Sequence, residues 1–221
     1  MDKELVAHLE SFLTASRREK NKTILENRTQ FLTIAIEDVY QLHNTSAVMR
    51  SCEVFGVQDI HIIEEKNQKK IDREIAMGAQ KWVDIHRYHS SKNCIETLKY
   101  QGYQIVATTP STENHYTLSE FPIDRPTAIF LGSEKDGLSD EVLKNADAFL
   151  TIPMRGFTQS LNVSVCGALI LNDLTTKLHS SSQKLPWQLS EEKKLQKRYE
   201  WACQILKSHK EIENRYWEMK K

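Results

Sequence analysis

Five short apolar runs alternate with helical patterns through the middle of this chain, and that alternation restricts its fold more than any other feature. The runs are Thr33–Val39, Asp59–Ile63, Gln104–Thr108, Thr127–Leu131 and Ala148–Ile152. Apolar spacing predicts helices over Ser46–Phe55, Arg73–Lys81, Lys92–Gln101, Ser139–Asn145 and Leu161–Leu178. Several of the runs are apolar on both faces, as strands of a buried parallel sheet are. Strand–helix alternation builds such a sheet from βαβ units. The expected class is therefore α/β, a mainly parallel sheet with helices on both faces.

Both ends read as helical additions. Leu5, Val6, Leu9, Phe12 and Leu13 make a helical stripe over residues 4–18. Residues 179–186 (HSSSQKLP) form a linker. Beyond it Ser190 can cap a helix that carries Leu195, Tyr199, Ala202, Ile205 and Leu206, with a second helix over Ile212–Met219. The divisions expected are an N-terminal extension at 1–30, a central domain at 31–180 and a C-terminal extension at 186–221. The chain's 30 basic and 30 acidic residues cancel, yet residues 31–183 sum to −5 and residues 184–221 to +4. With Arg17 and Arg18 near one end and Lys193, Lys194, Lys197 and Arg198 near the other, the ends are candidates to meet a polyanion. Solvated helix faces explain the same charges.

Several classes lack their signatures. No apolar run reaches membrane-spanning length, and residues 1–12 lack the pattern of a signal peptide. Cys52, Cys94, Cys166 and Cys203 form no CxxC pair, which argues against zinc and against a disulfide framework and suggests a reducing cytosol. Neither GxGxxG nor GxxxxGK[ST] is present, and no G-x-S-x-G precedes Ser160. A cytoplasmic protein with no metal and no membrane contact is expected.

Three segments stand just beyond the carboxyl ends of expected strands, where parallel sheets take up ligands. The first runs from Asn44, placed where a helix cap would be, to Arg50, a cation among apolar residues. Arg50 either reaches the surface or faces an anion, because burying it unpaired is costly. The second is Gly132-Ser133-Glu134-Lys135-Asp136-Gly137-Leu138, a carboxylate between glycines that allow close backbone approach. The third is Ile152-Pro153-Met154-Arg155-Gly156-Phe157-Thr158-Gln159-Ser160-Leu161-Asn162-Val163-Ser164-Val165, a strand end turning through Pro and Gly into a helix. Ser160 and Asn162 bring side-chain donors and acceptors to that helix entrance, though either alone would be read as a cap.

In this order and with these residues the three segments resemble the motifs of the SpoU/TrmH family of RNA ribose 2′-O-methyltransferases in the SPOUT superfamily, over roughly residues 31–178. The resemblance implies a deep C-terminal trefoil knot, S-adenosyl-L-methionine held largely by main-chain groups, and a homodimer. It implies cofactor contacts at Thr108, Leu131, Gly132, Ile152, Met154 and Leu161. It implies a site of Arg50, Asn44, Glu134, Ser160 and Asn162. Arg50 would be the base, assisted by a substrate phosphate, and Asn44 would orient Arg50 or the ribose. Glu134 would hold its loop, and Ser160 and Asn162 the phosphate or the motif geometry. An arginine side chain is a poor base because it stays protonated near neutrality, so binding phosphate and stabilising developing alkoxide is a less demanding role for Arg50.

A short basic helix before the core and a basic, Trp-containing tail after it resemble the layout of members that methylate guanosine 18 in the tRNA D-loop. tRNA is then the expected partner. Ribosomal RNA or another tRNA ribose is the alternative within the chemistry. A knotted RNA-binding protein without catalysis is the alternative outside it.

Overall fold

A computed structural model describes residues 1–65, 76–110, 115–181 and 185–220. These residues form two compact units, residues 29–187 and a smaller one joining residues 1–28 to 188–221.

The larger unit is a seven-stranded sheet. Its strands are β1 (Leu32–Glu37), β2 (Asp59–Ile63), β3 (Asp84–Tyr88), β4 (Gln104–Thr108), β5 (Tyr116–Thr117), β6 (Thr127–Leu131) and β7 (Ala148–Thr151). They lie in the order β3-β2-β1-β6-β4-β7-β5, and every pairing is parallel. Side chains alternate between two cores. Ile34, Ile36, Ile60, Ile62, Val106, Ile129 and Leu131 enter one, which also holds Val48 and Met49 of α3 (Leu42–Val54) and Ile170, Leu171 and Leu174 of α6 (Val163–Ser180). Ala35, Ile63, Ile105, Ala107, Ala128 and Phe130 enter the other, with Cys94, Ile95 and Leu98 of α4 (Ser91–Tyr100) and Val142 of α5 (Asp140–Asn145). Both faces are covered, so the strands are mostly apolar on both, with Thr33, Glu37, Asp59 and His61 as buried polar exceptions, and a clean period of two is absent from the sequence.

The strand order reverses direction at β1. The chain moves outward through β2 and β3, then returns to the other side of β1 with β4, and β6 fills the space between. The carboxyl ends of β1, β6, β4 and β7 therefore gather along one edge, at the switch point where such sheets bind ligands.

Expected and observed elements differ in informative places. The strands β2, β4 and β6 coincide with their expected bounds. β3 was not expected, because Asp84, His86 and Arg87 look like a loop; on a sheet edge the backbone pairing with β2 suffices. The expected helix over residues 73–81 lies partly outside the described residues; within it the chain makes a 3-10 turn at Ala79–Lys81. α3 begins at Leu42, so Asn44 sits in its first turn and does not cap it.

In the smaller unit α1 (Lys3–Ser11) and α2 (Ala15–Glu26) pack with α7 (Glu191–Ile205) and α8 (His209–Met219). The single expected stripe over 4–18 is broken before Thr14, whose Oγ1 accepts the Arg17 N–H at 3.2 Å and starts a new helix. Leu5, Leu9 and Leu13 meet Ala202, Ile212 and Tyr216 in one core, so the two terminal segments make one body. No described helix is long and apolar enough to cross a membrane.

Candidate active site

At the sheet edge three sequence-distant segments converge on one side chain. Asn44 is buried in the first turn of α3. Its Nδ2 donates to Glu134 Oε1, and its Oδ1 accepts from Asn162 Nδ2 at 3.1 Å. Asn162 in turn caps α6: its Oδ1 accepts from the Ser164 N–H at 2.8 Å and the Ser164 Oγ at 2.6 Å. Both ends of the Asn44 amide are thus engaged, one by the loop after β6 and one by the turn after β7. Because Asn44 does not cap α3, its side chain is available for this linkage.

The Glu134 loop is closed on itself. Ser133 and Gly137 exchange two backbone hydrogen bonds, each 3.0 Å, and Ser133 Oγ accepts the Asp136 N–H at 3.0 Å. Closure needs glycine at both ends. Gly137 takes a φ of +68°, and a Cβ on Gly132 would lie 2.3 Å from the Gly137 carbonyl carbon.

One functional residue escaped the sequence reading. Glu37, the last residue of β1, is buried. Its Oε2 accepts the Ser139 N–H at 2.7 Å, while its Oε1 accepts the Ser139 Oγ at 2.6 Å and the Ser91 Oγ. Ser139 is the N-cap of α5 and follows the Glu134 loop directly. One carboxylate therefore fixes the exit of that loop and the start of α4. The available signal was an acid ending a strand of apolar residues, which must find donors inside the protein.

Arg50 reaches the surface, where an anion can meet it. It is exposed and lines a groove of about 270 Å³ with Ala47, Ser51, Val54 and Phe55. Six residues on a helix turn a side chain by about 120° from Asn44, so the amide of Asn44 faces Glu134 and Asn162 and does not orient Arg50. Ser160 is exposed, as are residues 153–159, and the whole stretch 152–162 carries neither helix nor strand. Thr108 and Leu131 close β4 and β6, Gly132 follows β6, and Ile152 follows β7. The Thr108 Oγ1 donates to the Phe130 carbonyl at 2.8 Å and so ties the ends of β4 and β6 together. Ile152 and Leu161 are half-buried and Met154 is exposed.

The basic residues of the smaller unit divide into two groups. Lys194 is buried, with its Nζ 2.7 Å from Glu26 and 3.0 Å from Glu191. The Glu26 hydrogen bond holds its pKa above the ordinary lysine value, against the opposing effect of burial. Lys197 is buried and pairs with Glu200, and Arg198 Nε donates to Glu10 Oε1 at 2.8 Å. Lys194 and Arg198 thus tie α7 to α2 and α1, while the Lys197 pair lies within α7 itself. Arg17 is exposed, and Arg18 and Lys193 are partly so.

Comparison with known proteins agrees with this fold. The profile of the SpoU rRNA methylase family matches residues 31–172. This chain belongs to that family. It is 37% identical over 206 residues to a tRNA (guanosine(18)-2′-O)-methyltransferase of Borreliella burgdorferi, covering 93% of each chain. It resembles the crystal structure of the A. aeolicus TrmH/SpoU tRNA modifying enzyme with a TM-score of 0.77 and 32% identity, covering 86% of this chain and 97% of that one. The fold is also that of the SpoU methyltransferase AviRb from Streptomyces viridochromogenes in complex with AdoMet, at a TM-score of 0.62 and 20% identity over 71% of this chain and 64% of that one.

Proposed function

We propose that this chain is a tRNA (guanosine-18) ribose 2′-O-methyltransferase that uses S-adenosyl-L-methionine. The observation that carries the reading is the convergence of Glu134, Asn44 and Asn162 from three family motifs at the switch point of the sheet. The tRNA substrate is favoured by likeness to the Borreliella burgdorferi enzyme along nearly the whole of both chains.

The residues at the edge suit the cofactor. The exposed stretch 153–160 offers main-chain groups outside any helix or strand, and Ile152, Met154 and Leu161 supply apolar contact for an adenine ring. With Thr108, Leu131 and Gly132 they make the proposed binding set. When bound, the cofactor supplies an electrophilic methyl group on a sulfonium. The ribose 2′-hydroxyl would take up that methyl group and release its proton to solvent. No Lewis acid is required by this balance.

The chain's own groups position the hydroxyl and stabilise its developing charge. Arg50, cationic and exposed on its groove, binds the neighbouring phosphate and the nascent alkoxide. Ser160, exposed two residues before the Asn162 cap, offers a hydroxyl to the same phosphate. Asn44, Glu134 and Asn162 lock the loops on which these groups depend. A trefoil knot formed by the crossings after β6 and β7 is part of the proposal. So is a homodimer, since Val54, Val165 and Leu169 expose apolar surface on the packed pair α3 and α6. Arg17, Arg18 and Lys193 are the proposed tRNA contacts.

The test is transfer of a labelled methyl group from the cofactor to unmodified tRNA, followed by mapping of the methylated nucleotide. Label in guanosine 18 supports the reading; label confined to ribosomal RNA replaces the substrate. Arg50→Ala is expected to abolish transfer with cofactor affinity nearly intact, and near-normal turnover would defeat the assignment.

A further inference from the structure

The smaller unit brings together three side chains that methyl transfer does not use. Cys203 lies in the last turn of α7, His209 opens α8, and Glu213 stands one turn further along α8 on the same face. The Cys203 Sγ, a ring nitrogen of His209 and a carboxylate oxygen of Glu213 all lie within 4.8 Å of one another. We propose that these three residues bind a divalent transition-metal ion, zinc in the first place, with water in the fourth position.

The donor set is right for the ion. Thiolate, imidazole and carboxylate are its usual protein ligands, and three of them with an open fourth position complete a tetrahedron. The surroundings supply the second layer of contacts that orients such ligands. His209 Nδ1 lies 3.1 Å from the Leu206 carbonyl. That contact requires the proton on Nδ1 and leaves the lone pair on Nε2. Tyr199 Oη donates to Glu213 Oε1 at 3.1 Å, and the Cys203 thiol lies 3.6 Å from the same oxygen. All three candidate ligands are partly exposed, so an ion can enter.

The position also has a structural use. α8 begins without a side-chain cap, and its N-cap residue Ser208 makes no side-chain hydrogen bond to the helix. An ion held by Cys203, His209 and Glu213 would tie the end of α7 to the start of α8 across that turn. A unit this small has little core of its own, and a metal is one of the few devices that stabilise such units. Cys203, Ile205 and Leu206 already pack on its core. The absence of a CxxC pair argued against zinc; here the ligands are spaced Cys-x5-His-x3-Glu, and the helix–turn–helix assembles them.

Binding exchanges the thiol proton for the ion: the sulfur–metal bond forms and one proton leaves to solvent. The experiment uses the full-length chain stripped of metal and titrated with Co²⁺, then with Zn²⁺ in competition. One equivalent of Co²⁺ is expected to give thiolate-to-metal absorption and tetrahedral d–d bands that Zn²⁺ abolishes, and Zn²⁺ is expected to raise the unfolding midpoint. Cys203→Ser and His209→Asn should remove the bands and the shift with unchanged circular dichroism. Tyr199→Phe should weaken binding by about 10-fold through lost ligand orientation. Absence of stoichiometric binding would overturn the proposal, as would an octahedral spectrum without thiolate absorption. Bands that survive in Cys203→Ser would assign the ion to another thiol and overturn it equally.

Discussion

Replacing Gly132 by alanine tests whether the loop after β6 is as rigid as its hydrogen bonds imply. The added Cβ would lie 2.3 Å from the Gly137 carbonyl carbon, 2.4 Å from its oxygen and 2.5 Å from the Leu138 nitrogen. Ordinary contact between carbon atoms is about 3.5–4.0 Å, so the two arms must part by about 1 Å. All three atoms are backbone, and no rotamer change can absorb the shift. The mutual bonds of Ser133 and Gly137, both 3.0 Å, are what the parting breaks. At about 1 kcal/mol net for each, the loss of stability is about 2 kcal/mol. A displacement of 1 Å at a positioning loop also lowers turnover by about 100-fold, since Glu134 rides on the loop and carries its bond to Asn44. Gly156→Ala is the control, because its Cβ would have no heavy atom within 4 Å; its effect on stability should stay within about 0.5 kcal/mol. Urea unfolding and single-turnover methyl transfer measure both quantities. If Gly132→Ala matched Gly156→Ala in stability and kept normal turnover, the closed loop would not be what positions Glu134.

Three further outcomes follow from particular contacts. His61 in β2 is buried, and that burial, followed by the nearby His86, lowers its pKa from 6.5 to about 4 against the opposing pull of Asp59. The unfolded chain then binds the extra proton between pH 6.5 and 4 and the folded one does not, so stability falls as pH drops through that window, by about 3 kcal/mol in the limit. His61→Phe should flatten that acid limb in pH-dependent urea unfolding, and an unchanged slope would refute the assignment. Asn44→Asp puts a second acceptor where Glu134 needs a donor, and should destabilise the fold by about 1–3 kcal/mol and impair transfer; calorimetric stability equal to the parent would show that the amide is not engaged. Arg17→Ala should weaken tRNA binding and reduce its salt slope with little change in stability, whereas Arg198→Ala should lower stability by about 1–3 kcal/mol through the loss of its bond to Glu10. Equal salt slopes for the two variants would mean that Arg17 touches no phosphate.

What could be read in the sequence divides according to the range of the interaction. The strands β2, β4 and β6 were legible because burial on both faces keeps them mostly apolar and rich in β-branched residues. β3 was not legible, because an edge strand is specified by the backbone of its neighbour, and Asp84, His86 and Arg87 satisfy that pairing as well as apolar residues would. At the site, the residue types of Asn44, Glu134 and Asn162 stood out, but their mutual bonds did not, since 90 and 118 residues of chain separate the partners. The angle between Asn44 and Arg50 was legible in principle, being a matter of helical pitch alone.

Charge shows the same limit most sharply. Summing Lys and Arg over residues 184–221 treats each cation as equally available to a polyanion. Availability depends instead on the partner, and the partner of Arg198 is Glu10, 188 residues away. Lys194 meets Glu26, and Lys197 is buried against Glu200. A cation that has already exchanged water for a carboxylate gains little from a phosphate, because it would have to leave an anion stranded to reach it. The tail's excess of positive charge thus measures helix packing as much as affinity for RNA. The electrostatic surface offered to tRNA is better sought at the exposed start of α2, where Arg17 makes no such bond among the described residues.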